Sequence, residues 1–554
     1  MYFMKTTKIK NYLLALAASS VLCSCNESNF LNEVNPNRPT DATYWQSADD
    51  LDAAIATVYN RVRASVYGYY GAYNCFQAPN NSLADDIYTT VGEEKFTWDY
   101  VIFNNSPETD GNPWDYLYTA IQRSNVLLKN TGEDCPVKDE IKNPIRGEAY
   151  FFRGFNYYLL AINYGKAIIR TEPVISTLDI AKEMSSAEEV WAQAENDLKK
   201  AIELLPESRP ATENGRVTKG AAIAFLGKSY LFQKKYADAK TELGKLMQAP
   251  YSYDLMEDYA DNFRDDTEFN KESIFELNYD QFGDESGRWN SGEGTDANMG
   301  NVLANFFGPD LPASGGWYKM QPSAALVDEF IAEERPAGSD SRWDKRMYTT
   351  MYFKYSDYND TKADETWYND VDFDPMWQVA LGKKLLGGKP DYPTIDGKEG
   401  RFLLKKYSAW WSKSGCSFYG GETTWSSRKM NYRVMRFAEV LLMYAEACAQ
   451  TNDIAGANAA LKRVRDRAGL AEKTFGSQAD LMKEIQHQNM LELVEESTRW
   501  YYLKHWFNND ELKAFLVDQK TQGGASFTAK YRWLPVPFQE MNNNSLCTQT
   551  EGWE

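Results

Sequence analysis

The residues whose types and spacing could do chemistry are few. Leu22-Cys23-Ser24-Cys25 has the form of a bacterial lipobox, in which the Cys after the cut takes lipid on its sulfur and becomes the mature N-terminus. Cys25 fits this role, with Leu22 three residues upstream and small Ser24 directly before it; Cys23 lacks the small residue. Lys5, Lys8 and Lys10 followed by the apolar run Tyr12–Leu22 make the preceding segment a secretory leader, too short to span a bilayer core. Several acyl chains would give lasting anchorage that one chain cannot. Asp85-Asp86 could be a carboxylate pair for acid–base work, although the distance that decides such chemistry is not written in a sequence. Asp370-Val371-Asp372-Phe373-Asp374 alternates carboxylates as calcium loops do, but without their Gly turn and distal Glu it reads as a solvated acidic loop. The only histidines, His487 and His505, lie in regions of helical pattern and are weak candidates for catalysis or metal binding. No G-x-S-x-G, H-E-x-x-H or phosphate loop occurs. The reading is therefore of a protein that is not an enzyme and takes neither a cofactor nor a metal.

Composition narrows the partners. The full chain of 554 residues carries a net charge of −19, and the leader's lysines, with no acid among them, make the mature protein more acidic still. Such a surface argues against nucleic acid and anionic lipid, and suits neutral or cationic ligands. Aromatic residues reach 14% of the chain, with 16 Trp and 36 Tyr, more than a core needs. Apart from Cys23 and Cys25, the cysteines are Cys75, Cys135, Cys416, Cys448 and Cys547, odd in number, widely spaced and without a C-x-x-C pair. Export permits disulfides, but no disulfide framework or zinc site is legible.

The elements that must position these residues are mainly helical. The leader occupies 1–24, and 25–40 is a polar tether with Pro36 and Pro39. From 41 to 279 the apolar residues recur at helical spacing. Ser47-Ala48-Asp49-Asp50 caps a helix with Leu51, Ala54, Ile55, Val58 and Tyr59 on one face. Trp114, Leu117, Tyr118, Ile121 and Val126 mark a second, and Pro144 is expected to open a third at its first turn. In 221–250, Leu226-Gly227, Tyr230, Tyr236, Ala239, Leu243, Leu246 and Pro250 fall close to the tetratricopeptide spacing. A second copy spans 442–461, and the second half of a third lies at Ala194, Leu198, Ala201 and Pro206. Stacked helical hairpins follow, each burying the face its neighbour leaves open. Between 280 and 430 glycines such as Gly292, Gly300, Gly315 and Gly316 break the pattern, apart from a short helix at 322–330. That stretch is expected to be an irregular insert packed on the frame, and 431–554 a helical region with an extended tail.

Several blocks resemble the SusD/RagB family. Phe30-Leu31, Tyr44-Trp45, Tyr59-Asn60 and Gly147-Glu148-Ala149-Tyr150-Phe151-Phe152-Arg153 are similar to its N-terminal half. Glu272-Ser273-Ile274-Phe275-Glu276 resembles its midpoint. Arg436–Ala447, Val464–Leu470, Glu492-Leu493…Glu496…Arg499-Trp500 and Leu534-Pro535-Val536-Pro537 follow in family order. Two departures stand out. The usual Tyr-Gly-Asp-Val-Pro turn reads Tyr164-Gly165-Lys166-Ala167-Ile168, and the acidic cluster that often follows the lipidated Cys is reduced to Asn26-Glu27-Ser28. The resemblance implies a tetratricopeptide-like scaffold holding an irregular ligand-binding insert. It also implies an outer-membrane lipoprotein, facing outward, that captures oligosaccharides and delivers them to a SusC-like TonB-dependent transporter. A peptide-binding RagB-like role is the alternative, and a surface glycoside hydrolase a remote one.

A sugar presents apolar C–H faces and a rim of hydroxyls, so its site needs aromatic platforms with polar side chains at the edge. In the family, loops after the first helix and loops of the insert supply them. Here the first region offers Asn81, Trp98 and Tyr100, with Asn80 and Asp85 nearby. The insert offers Trp289, Trp317 and Tyr318, of which Trp317, in Gly315-Gly316-Trp317-Tyr318, is the foremost candidate for a projecting platform.

Overall fold

The computed structural model describes residues 44–67, 82–89, 95–109, 112–279, 307–308, 320–365, 372–382, 390–411 and 430–554. Helix α1 (Ala48–Tyr67) starts where the sequence places it. The Asp50 amide donates to Ser47 Oγ at 3.2 Å, and the Asp50 carboxylate accepts from the Ser47 amide at 2.9 Å, a reciprocal cap. Leu51, Ile55 and Val58 are buried along its inner face. Strand β1 (Ile87–Thr89) and the short helix α2 (Lys95–Val101) precede α3 (Trp114–Asn130) and α4 (Asp139–Tyr164).

Helix α4 corrects one expectation. It begins at Asp139, so Pro144 lies inside it and not at its first turn. The proline removes one amide donor near the helix start, and the rest of α4, buried against α3 and the next helix, carries the helix through it.

Helix α5 (Ala187–Leu204) opens on a full capping box between Ser186 and Glu189, and α6 (Lys219–Phe232) on Thr218. Helix α7 (Tyr236–Lys245) returns along α6 as the tetratricopeptide spacing requires. Gly227 permits the crossing: a Cβ there would stand 2.6 Å from Leu243 Cγ, and Leu243 is fully buried. Gly227→Ala should therefore cost about 1–3 kcal/mol through overpacking. A urea titration would read this; an unchanged midpoint would mean the hairpin has slack its close contact does not show.

Strand β2 (Ser273–Leu277) leads toward the insert, from which β3 (Met320–Pro322), α8 (Ala324–Ile331), α9 (Lys345–Thr350) and β4 (Met351–Tyr352) are described. After them come α10 (Phe373–Gly382), β5 (Thr394–Ile395), β6 (Lys398–Glu399) and β7 (Leu403–Leu404). These elements are short, and β5 and β6 form a hairpin over Asp396-Gly397, both at positive φ as a tight turn demands. Strand β8 (Tyr432–Arg436) then runs into α11 (Phe437–Gln450), which pairs with α12 (Ile454–Ala468) as a further hairpin; Leu442, Ala445, Cys448, Ala457 and Leu461 are buried. Helices α13 (Gln478–Leu493), α14 (Arg499–Trp506) and α15 (Asn509–Asp518) complete the frame. The architecture is predominantly α-helical, with α3 on α4, α4 on α5, α5 on α6, α6 on α7, α7 on α11 and α11 on α12 and α13.

Two antiparallel ribbons tie distant parts of the chain. β2 pairs with β8, Ser273 facing Arg436, which joins the midpoint block to the strand that feeds α11. β1 pairs with β3, Ile87 facing Pro322 and Thr89 facing Met320. Cys135, Cys448 and Cys547 are buried free thiols.

Candidate ligand-binding site and the frame beneath it

The β1–β3 ribbon organises the candidate site. Because the strands are antiparallel, the chain leaves β1 toward Trp98 at the same end at which it enters β3 from Trp317-Tyr318. The ribbon is held firmly. Gln522 clasps Thr89 twice, accepting from its amide at 2.6 Å and donating to its carbonyl at 2.8 Å. The Ser323 amide donates to the Asp86 carbonyl at 3.0 Å. Arg499 meets the Asp85 carboxylate with two hydrogen bonds, 2.8 and 3.0 Å long.

This geometry decides the Asp85-Asp86 pair. Asp85 is committed to Arg499, and Asp86 is 1% exposed with its Oδ1 unpartnered among the described residues. Burial and the neighbouring Asp85 charge, opposed by Arg499, push Asp86 up to about 7. With Asp85 engaged by Arg499 and Asp86 buried, the two carboxylates fasten the start of the ribbon.

Of the sequence-selected ligand residues, Trp98 lies half-buried on α2. Tyr100, two residues on, is 3% exposed, so its ring faces the core and serves packing. Helix α2 is anchored through Phe103, which packs against Trp500, Phe527 and Tyr531. Asn81, Trp289, Trp317 and Tyr318 lie outside the described residues, as does Cys25. Asp370 also lies outside them. Asp374 is held below the ordinary carboxylate range by hydrogen bonds from Lys354 and Arg401, each of which also forms a salt bridge with it. Among the described residues no cluster of His, Cys, Asp and Glu could hold a metal ion. His487 pairs with Glu329, and His505 shares a hydrogen bond of 2.7 Å with Glu446 in the core.

Around the β2–β8 ribbon lies a charge cluster that no spacing in the sequence records. Arg436 binds Glu272, Glu492 at 2.9 Å and Glu496 at 2.7 Å, all fully or almost fully buried. Arg467 binds Glu272 at 3.3 Å and also Glu492. Arg346, from α9, reaches Glu492 at 3.0 Å and Asp344 at 2.6 Å, and Lys406 binds Glu496 at 2.6 Å. Burial alone would raise Glu492, but Arg467, Arg436 and Arg346 together hold it far below the usual carboxylate range. Glu496 is likewise lowered against its burial by Arg436 and Lys406. The cluster fastens β2, β8, α12, α13, α9 and the segment after β7 to one another, so that the insert cannot drift from the helical frame. Its signal in the sequence is partial: Glu272, Arg436, Arg467, Glu492 and Glu496 all sit in the family-like blocks, whereas Arg346 and Lys406 carry no such mark.

The fold is a mainly helical frame of stacked hairpins, to which the β1–β3 ribbon ties part of the 280–430 region. The SusD family model matches residues 271–553, and a second model, described as starch-binding associating with outer membrane, matches residues 29–231. The chain belongs to the SusD/RagB family of outer-membrane glycan-binding lipoproteins, which are non-catalytic and work with SusC-type transport systems. It is similar to SusD-like protein P25 of Formosa agariphila, 23% identical over 98% of each chain. Among solved structures it resembles a SusD superfamily protein from Bacteroides vulgatus at a TM-score of 0.75 and 25% identity, covering 92% of this chain and 100% of that one. It also resembles surface glycan-binding protein A from Bacteroides thetaiotaomicron in complex with laminarihexaose, at a TM-score of 0.70 and 19% identity, covering 91% and 99%. Among the described residues no helix is long and apolar enough to cross a membrane.

Proposed function

We propose that this protein is anchored to the outer membrane through lipidated Cys25, faces outward, and captures oligosaccharides for a SusC-like TonB-dependent transporter. The observation that supports the capture site is the β1–β3 ribbon, in which Thr89 pairs with Met320, so that the chain leaves β1 and enters β3 at the same end. Trp98 and Trp317 act as stacking platforms, with Asn81, Trp289 and Tyr318 completing the site; Tyr100 supports α2 from below. The binding of laminarihexaose by a protein of the same fold supports a glycan as the ligand. Residues 280–430 serve as the ligand-holding insert, and residues 25–40 as the tether.

Trp317→Ala should weaken glycan binding about tenfold or more, from the loss of stacking and of the apolar area the indole covers. Calorimetric titration beside a thermal melt would measure it. Wild-type affinity in the variant would remove Trp317 from the site, and a large fall in melting temperature would make it a core residue. A mixed glycan and peptide screen on the wild type separates sugar capture from peptide capture. For the anchor, Cys25→Ala should release the protein from the membrane fraction; a variant that stays in the outer membrane with unchanged mass would refute lipidation there.

A further inference from the structure

On the helical frame, with no residue of the β1–β3 ribbon in its wall, a cleft of about 360 Å³ opens between the α5–α6 loop, the segment after α7 and the chain leading into β2. Phe269 lines it, and two features set this residue apart. Its φ is 55°, in the left-handed region that a bulky side chain rarely adopts. Its ring is half-buried, yet it is not among the side chains packed on the core, and among the described residues it meets no other ring and no cation. The conformation is held from beneath, where the Phe269 amide donates to buried Glu276 Oε1 at 3.1 Å. A strained backbone that keeps a phenyl ring out of the core marks a functional position and not a packing one. Tyr251 forms a second wall. It stacks on Tyr253, with ring centroids 5.8 Å apart and planes 10° from parallel, and Tyr253 stacks in turn on Phe437. The Tyr251 ring is thereby fixed, while its hydroxyl has no hydrogen-bond partner among the described residues.

The cleft has no cation to spare. Arg209 is held by Glu148 at 2.9 Å and Glu213 at 2.8 Å, and Arg216 by Glu148 at 2.6 Å and Asp52 at 3.0 Å. Lys271 lies 3.6 Å from Asp254, which it shares with Arg463. Glu207, exposed at the rim, forms no ion pair among the described residues. An anionic ligand therefore finds nothing to neutralise it. What remains open is polar and mostly uncharged: the Asn214 amide and the Ser252 hydroxyl, both exposed and without a hydrogen bond among the described residues, beside the Tyr251 phenol and the Glu207 carboxylate. A ligand that completes this set must bring hydroxyls to the rim and an apolar face to the aromatic rings.

We propose that this cleft is a second carbohydrate subsite, which holds a neutral sugar residue with its C–H face against Phe269 and its hydroxyls on Asn214, Tyr251 and Glu207. The inference rests on the glycan-capture function above and adds to it a place on the frame, apart from the ribbon, where a sugar chain is held.

Titration calorimetry with three neutral probes, laminarihexaose, maltohexaose and xylohexaose, tests it beside a thermal melt. Phe269→Gly should weaken at least one probe about tenfold, through the lost ring contact. Glycine adopts the left-handed backbone without strain, so the melting temperature should not fall. Asn214→Ala, at an exposed position, should weaken the same probe about fivefold through one lost hydrogen bond. Trp317→Ala should leave this binding in place. Probes that bind Phe269→Gly at full strength overturn the subsite and leave capture at the ribbon standing. A large fall in the melting temperature of Phe269→Gly would make the ring a packing residue and overturns it too, and binding lost in both Phe269→Gly and Trp317→Ala would merge the two places into one. Failure of all three sugars to bind the wild type, beside capture of a peptide, would instead count against the glycan function itself, and the subsite would fall with it.

Discussion

Arg436→Ala should cost the protein about 3–5 kcal/mol, the range for removing one partner from a buried ion pair. The reason is the number of charges one guanidinium serves. It contacts Glu272, Glu492 and Glu496 within a region closed to water, and its removal leaves three carboxylates to the partial care of Arg467, Arg346 and Lys406. A urea midpoint measured at neutral pH gives the loss. Glu492 and Glu496 are depressed in the fold, so their stabilisation is present above the unfolded carboxylate range near pH 4 and is lost as pH falls through their lower folded values. The wild type should therefore weaken steeply in acid and the variant less so. A variant within about 0.5 kcal/mol of wild type at neutral pH would show that water or the remaining cations replace Arg436 without cost.

The second large effect has the opposite sign. Asp86→Asn should stabilise the protein at pH 8 by about 2–4 kcal/mol, since each tenfold change in a carboxyl's proton affinity on folding is worth about 1.4 kcal/mol. Asp86 is raised from 3.8 to about 7 by burial and by Asp85. A carboxyl raised in the fold contributes stability fully below its unfolded pKa. That contribution declines as pH rises toward 7 and is gone above it. At pH 8 the wild type must bury a charge whose Oδ1 has no partner among the described residues, whereas the amide buries none. At pH 4 the wild-type acid is already neutral, and the two proteins should melt together. Equal melting temperatures at pH 8, or a gain of the same size at both pH values, would mean that Asp86 is not the group that titrates.

How much of this is legible in the sequence depends on the range of the interaction. Local rules hold: Ser47 with Asp50 forms a cap within four residues, and Leu226-Gly227 and Leu243 meet across a single turn. Pro144 falls inside its helix because a short-range steric rule gives way to the burial of a long helix. The ion cluster is invisible as a cluster, since Arg436 and Glu272 are 164 residues apart and no period or spacing records that they touch. Trp98 and Tyr100 show the limit for site residues. Two aromatics in one short helix have nearly the same claim on paper, and only the packing of α2 against the frame leaves one half-buried and the other closed off.

The ion cluster also bears on how the chain acquires its shape. Its members are drawn from Glu272 through Arg346, Lys406, Arg436 and Arg467 to Glu492 and Glu496, near the C-terminus. A nascent chain that has emerged only as far as Arg467 holds the cluster's arginines and lysine with nothing but Glu272 and Asp344 to neutralise them. Contacts of such sequence separation form slowly, because the loops they close must be ordered first. The tetratricopeptide hairpins, local by construction, can assemble early, while the union of insert and frame waits for the last helices. For a chain expected from its sequence to carry a secretory leader, that delay would be useful: an intermediate that lacks the last helices lacks the residues that would lock it shut.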